Sequence, residues 1–133
     1  MILDFYIPGE PERATAQEGH RWTRGHYYTD PKIKAVRQGL IEELRPNAPE
    51  APIAGPVHLR IDFFFGTADV KKQGCWKVTR PDTDNMIKLM KDCMTEAGFW
   101  KDDSQVCMEV VSKTWVPEDE ACTRIQLYQM QTH

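Results

Sequence analysis

Apolar and polar positions along the chain change period several times, and each change marks an element. Leu3, Phe5 and Ile7 alternate with Ile2, Asp4 and Tyr6, a period of two that predicts a strand ending at Pro8 and Gly9. Residues 9–29 show no period and read as a long loop. Asp30 followed by Pro31 has the form of a helix cap and first turn, and Ile33, Val36, Leu40 and Leu44 then recur at helical spacing up to Pro46, predicting a helix over about 31–45. A proline- and alanine-rich connector, 46–56, leads into the clearest strand, where Val57, Leu59, Ile61, Phe63 and Phe65 alternate with His58, Arg60, Asp62 and Phe64. Residues 66–80 are polar and basic and read as a loop. Met86, Met90, Cys93 and Ala97 define one face of a second helix over about 85–97, stopped by Gly98. Residues 105–116 and a strand marked by Ile125 and Leu127 flank a turn at Pro117–Ala121, and the expected pairing is an antiparallel hairpin. The order β, α, β, α, β, β predicts an α+β fold: one domain over 1–133, a mixed sheet with two helices packed on it.

Composition agrees with a globule. The 133 residues are 41% hydrophobic and 28% charged, with no long apolar run, which excludes a membrane span, a fibre and ordinary disorder. The four cysteines, at 75, 93, 107 and 122, contain no CxxC pair and read as reduced thiols. The first ten residues lack the basic and apolar regions of an export signal, so the cytoplasm is the expected compartment. His20, His26, His58 and His133 have no metal-ligand spacing.

The net charge of −3 gives no global attraction to nucleic acid, but its distribution is segmental. Arg21, Arg24, Lys32, Lys34 and Arg37 face only Asp30 across residues 21–37, and Lys71, Lys72, Lys77 and Arg80 form a second basic stretch. Between 82 and 109 the balance reverses to −4, with Asp82, Asp84, Asp92, Glu96, Asp102, Asp103 and Glu109 against Lys88, Lys91 and Lys101. Acids set between basic stretches suit an enzyme that acts on phosphodiesters with a bound cation; a solvated acidic loop is the plainer alternative.

Asp82 and Asp84 sit at the entry to the second helix, where free N–H groups and the positive end of the dipole face them. One acid there is a cap; two, with Asp102 and Asp103 beyond the same helix, exceed what capping requires. Lys88 follows Asp84 by four residues, either as a surface ion pair or as an ammonium within reach of a bound phosphate, and Asp92 continues that face. Oxygen-only ligands point to Mg²⁺, with Mn²⁺ as a substitute.

Arg80-Pro81-Asp82-Thr83-Asp84-Asn85, then Lys88 and Asp92, then Lys101-Asp102-Asp103-Ser104-Gln105-Val106, resembles the signature of the RusA-type Holliday junction resolvases. The first strand, the arginine-bearing loop and the Tyr28–Lys32 segment before the first helix fit the same family in order and length, although the loop is more acidic than is usual there. The resemblance implies metal-binding catalytic acids at Asp82, Asp84 and Asp103, a catalytic lysine at Lys88, and supporting roles for Asn85, Asp92, Asp102 and Gln105. It further implies a homodimeric, Mg²⁺-dependent endodeoxyribonuclease that nicks opposed strands of a four-way junction in recombination and repair. DNA contacts are expected at Arg21, Arg24, Lys32, Lys71, Lys72, Lys77 and Arg80, and Trp100, Trp115 and Phe64 are candidates for the dimer interface. Alternatives are a flap or other branched-DNA nuclease, and a non-catalytic DNA-binding accessory protein.

Overall fold

The computed structural model describes residues 2–13, 20–23, 26–29 and 31–131, with 20–23 and 26–29 given by their backbone alone. Strand β1 (Leu3–Pro8) is followed by β2 (His20–Thr23) and β3 (His26–Thr29), helix α1 (Pro31–Leu44), strand β4 (Val57–Thr67), helix α2 (Thr83–Ala97), and strands β5 (Val106–Pro117) and β6 (Cys122–Gln129). Short 3₁₀ turns occupy Arg45–Asn47, Asp103–Gln105 and Glu118–Glu120. The main sheet has the order β1-β6-β4-β5 and is mixed, as expected: β5 runs parallel to β4, whereas β6 is antiparallel to both β4 and β1.

Two readings of the sequence are corrected. The last two strands do not form a hairpin, because β4 lies between them. Val57, Leu59, Ile61, Phe63 and Phe65 of β4 are all buried, whereas most of the first five residues of β5 are exposed. The most apolar strand therefore takes the centre, and the turn at Glu118–Glu120 bridges across it, a span of about two 4.8 Å strand spacings. The loop over 9–29 is likewise not structureless: His20–Thr23 pairs with His26–Thr29 antiparallel as a separate two-stranded sheet. Its Trp, Tyr and Thr residues favour strands, and the two-residue spacing with Gly25 is a hairpin signal that a search for longer periods passes over. The capping role of Asp30 lies outside the described residues.

Both helices pack on one face of the sheet. The core joins Ile41 and Leu44 of α1 to Met86, Ile87, Leu89, Met90, Cys93 and Met94 of α2 and to the inward residues of β4 and β6. Phe99 and Trp100 complete it: both are at most 1% exposed, and Trp100 Nε1 donates to Thr95 Oγ1 at 2.7 Å. Trp100 is therefore a core residue and not an interface residue. Its burial fixes the path of the chain just beyond α2. Gly98 makes the turn in the left-handed region, at φ 93°, where a residue with a Cβ is strained.

Burial also raises the Cys93 thiol to about 11. All four cysteines are unpaired. No helix among the described residues is long and apolar enough to cross a membrane.

Candidate active site

The two acid pairs named from sequence lie at opposite ends of α2. Asp82 occupies the N-cap position and Asp84 the first turn; Asp102 and Asp103 follow the C-terminal stop, four and five residues after Gly98 and just beyond its buried aromatic pair. With 15 residues at about 1.5 Å each, the helix separates its ends by roughly 22 Å. Among the described residues of one chain, no group of three His, Cys, Asp or Glu side chains is placed to hold a metal ion.

Capping does not account for the acids at the N-terminal end. Asp82 has the backbone of an N-cap, and its carbonyl accepts from Met86 N at 3.1 Å, but its carboxylate makes no capping hydrogen bond. Asp84 and Lys88, both exposed and one turn apart, form no ion pair with each other or with any described residue. The ordinary surface pair is thus absent. Among the described residues both carboxylates and the ammonium stand without an ion-pair partner at the end of a helix whose dipole favours anions. Asn85 is half-buried beside them.

The other end is occupied differently. The Asp102 side chain accepts from Ser104 N at 2.9 Å, and Gln105 Oε1 accepts from Lys101 N and Asp102 N at 3.0 and 3.2 Å, a reciprocal capping box around the 3₁₀ turn. The Ser104 N–H holds the Asp102 carboxyl below its ordinary value. Gln105 Nε2 donates to Ile53 O and Gly55 O at 2.8 and 3.0 Å, stapling the turn to the connector before β4. Asp92 is paired with Arg37 of α1 at 3.6 Å. The supporting residues of this end are therefore tied into structure, and Asp103 shares an open groove with Asp102, Asp92, Glu96, Lys101 and Arg37.

The basic stretch divides as well. Lys71, Lys72 and Arg80 are exposed on the segment that leads to Asp82. Lys77 is the exception and corrects the expectation of a DNA contact: it is 3% exposed, and its ammonium lies over the rings of Trp115 and Phe65 and donates to Thr79 and Arg80. Burial lowers its pKa. Lys32 is exposed at the start of α1; the side chain of Arg21, and Arg24 altogether, lie outside what is described. Trp115 is half-buried beneath Lys72 and Lys77, and Phe64 is half-buried on the face of the sheet opposite the helices. A cavity of about 230 Å³ between β1, α1 and α2 contains none of the predicted site residues.

The family model for the endodeoxyribonuclease RusA matches residues 8–128, nearly the whole chain and both acid pairs. The chain belongs to the RusA family. Among its relatives is a crossover junction endodeoxyribonuclease RusA of Lactococcus phage r1t, 39% identical over 51 residues, 38% of this chain and 39% of that protein. The RusA of the same description from Escherichia coli strain K12 is 29% identical over 87 residues, 65% of this chain and 64% of its own length. YqaN of Bacillus subtilis strain 168 is 29% identical over 128 residues, covering 87% of this chain and 89% of YqaN. The matches to the two named nucleases thus span less than two thirds of each.

One set of contacts was not foreseen from the sequence. Lys113, on β5, donates from Nζ to Thr79 O and Pro81 O, both at 2.8 Å. A lysine on an edge strand carries no sequence signal for this; only the fold brings it to the segment before Asp82.

Proposed function

We propose that this protein is a Mg²⁺-dependent endodeoxyribonuclease that resolves four-way DNA junctions by paired hydrolysis, in recombination or repair in the cytoplasm. The observation that carries the reading is the state of Asp82 and Asp84: within the span matched to the family, two carboxylates at a helix start serve neither as caps nor, among the described residues, as ion-pair partners.

Their chemistry fits a hard cation, which carboxylate oxygens select. Asp82, Asp84 and Asp103 would hold it. Bound there, Mg²⁺ supplies charge neutralisation at the phosphoryl group and a more acidic water. A single chain keeps Asp103 at the far end of α2, so the reading includes a homodimer. A two-fold axis that sets two copies of α2 antiparallel brings the Asp82–Asp84 end of each against the Asp103 end of the other. Two equivalent sites result, which suits a substrate that needs two opposed nicks.

Lys88, exposed one turn beyond Asp84, would stabilise charge on the phosphoryl oxygens. The helix N-terminus adds a partial positive charge at the same place. Lys71, Lys72 and Arg80, on the exposed approach to Asp82, would grip the backbone of the bound strand.

The test offers a synthetic four-way junction, a flap and a linear duplex of matched sequence, with and without Mg²⁺. Symmetric paired nicks on the junction alone, by a species of twice the chain mass in sedimentation equilibrium, are expected. Preference for the flap would make this a different branched-DNA nuclease, and binding without cleavage an accessory protein.

A further inference from the structure

Two lysines outside the acid set converge on the backbone that delivers Asp82. Residues 74–77 lie along the open edge of β5: Gly74 N donates to Trp115 O at 2.8 Å, Trp115 N to Cys75 O at 2.9 Å and Lys77 N to Lys113 O at 2.9 Å. This edge pairing sets Lys77 and Lys113 side by side. Lys77 Nζ donates to Thr79 Oγ1, Thr79 O and Arg80 O at 2.6, 3.3 and 2.5 Å, and Lys113 Nζ to Thr79 O and Pro81 O at 2.8 Å each. Three consecutive carbonyls, those of residues 79, 80 and 81, are thus held by two ammonium groups immediately before the N-cap.

No strand or helix pairing supports residues 78–81, and Pro81 has no N–H to donate. Charge-assisted hydrogen bonds are the stronger kind, and the Lys77 group is walled from water by the rings of Phe65 and Trp115 at 5.1 and 4.7 Å. Asp82 itself stays exposed. The clamp therefore fixes where its backbone lies without consuming its carboxylate.

We propose that Lys77 and Lys113 are positioning residues that set the affinity of the Asp82 end of α2 for a divalent cation by fixing the three carbonyls before it. The inference rests on the reading of Asp82 as a metal-holding acid. Groups that orient metal ligands, when removed, weaken binding by about 10- to 100-fold.

The experiment measures Mn²⁺ binding to the DNA-free full chain by electron paramagnetic resonance, in the wild type, Lys113→Met, Lys113→Arg, Asp82→Asn and the double variant Asp82→Asn/Lys113→Met. Each is held at a temperature where circular dichroism shows it fully folded. Lys113 is chosen over Lys77 because it is only partly buried, so its loss endangers the fold less. Lys113→Met is expected to raise the Kd for Mn²⁺ by about tenfold, and Lys113→Arg, which keeps the charge and several donors, to recover most of that. The double variant should bind as weakly as Asp82→Asn alone, because the lysine acts through that carboxylate. A Lys113→Met variant that melts lower yet binds Mn²⁺ as the wild type does would overturn the proposal and leave the clamp purely structural. Binding in Asp82→Asn equal to wild type would overturn the metal-holding reading of Asp82, and the clamp's role with it.

Discussion

The two ends of α2 present the same residue types and use them in opposite ways. At the start, Asp82 and Asp84 have neither a capping hydrogen bond nor a cationic partner among the described residues, and the segment before them is held from behind by lysines. Beyond the other end, Asp102 is consumed by its capping box, and Gln105 ties the turn to Ile53 and Gly55. A carboxylate that accepts backbone N–H groups gains local stability and gives up lone pairs that a cation would need. Two aspartates near a helix end therefore say little about role until their hydrogen bonds are known. Asp102 and Asp103 make the point most sharply: adjacent in sequence and lining the same open groove, one caps the 3₁₀ turn and the other does not.

The largest expected effect breaks the N-terminal end. Asp82→Asn and Asp84→Asn, with Asp103→Asn as the distant member of the set, should each lower Mg²⁺-dependent cleavage by roughly 100-fold or more, since losing a cation's anchor costs several kcal/mol of transition-state stabilisation. Melting temperature and junction affinity should hardly change, because none of the three makes a capping bond, or an ion pair to any described residue, to lose. Near-normal turnover in any one of them would remove that residue from the site.

Lys88→Ala comes next. If its ammonium acts on the phosphoryl group, the single-turnover rate at saturating enzyme should fall by about 100-fold, the loss typical of one preorganised donor, with junction affinity within about threefold. Equal rates for variant and wild type would return Lys88 to an ordinary solvated position.

Much of this was legible in the sequence because it rests on local pattern. The alternation through Val57–Phe65 specified a buried strand, and the helical spacing from Met86 to Ala97, closed by Gly98, gave α2 to within two residues. What escaped depends on tertiary competition. Nothing local tells β5 and β6 that a more apolar strand will separate them. The short paired strands at 20–23 and 26–29 fell below the length at which a period is visible. The acids were named individually, but their separation by the length of a helix is a property of the fold. Lys77 looked like a surface cation because charge alone does not reveal that Trp115 and Phe65 will roof it.

A smaller effect probes the C-terminal end alone. Gly98→Ala should destabilise the protein by about 1–2 kcal/mol, because alanine strains at φ 93°. The cost is conformational only, since a Cβ there meets no atom within 4 Å. Thermal melts would register it as a lower Tm; an unchanged Tm would show that the turn relaxes freely and does not fix the path to Asp103.

The smallest effect tests the Asp102 cap by pH. Asp102 has its folded pKa depressed, first by the Ser104 N–H, so the stability it contributes is complete above the ordinary value of 3.8 and lost as pH falls through the lower folded value. Asparagine caps as well as aspartate but does not titrate. Asp102→Asn should therefore melt like the wild type near neutral pH and lose less stability than the wild type on acidification from about pH 5 to pH 2. Asp4, whose carboxyl is also held low by Arg124, contributes to the same acid limb in every variant and cancels in the difference. An acid limb in Asp102→Asn as steep as that of the wild type would show that the Ser104 N–H does not hold the Asp102 carboxylate in the folded protein.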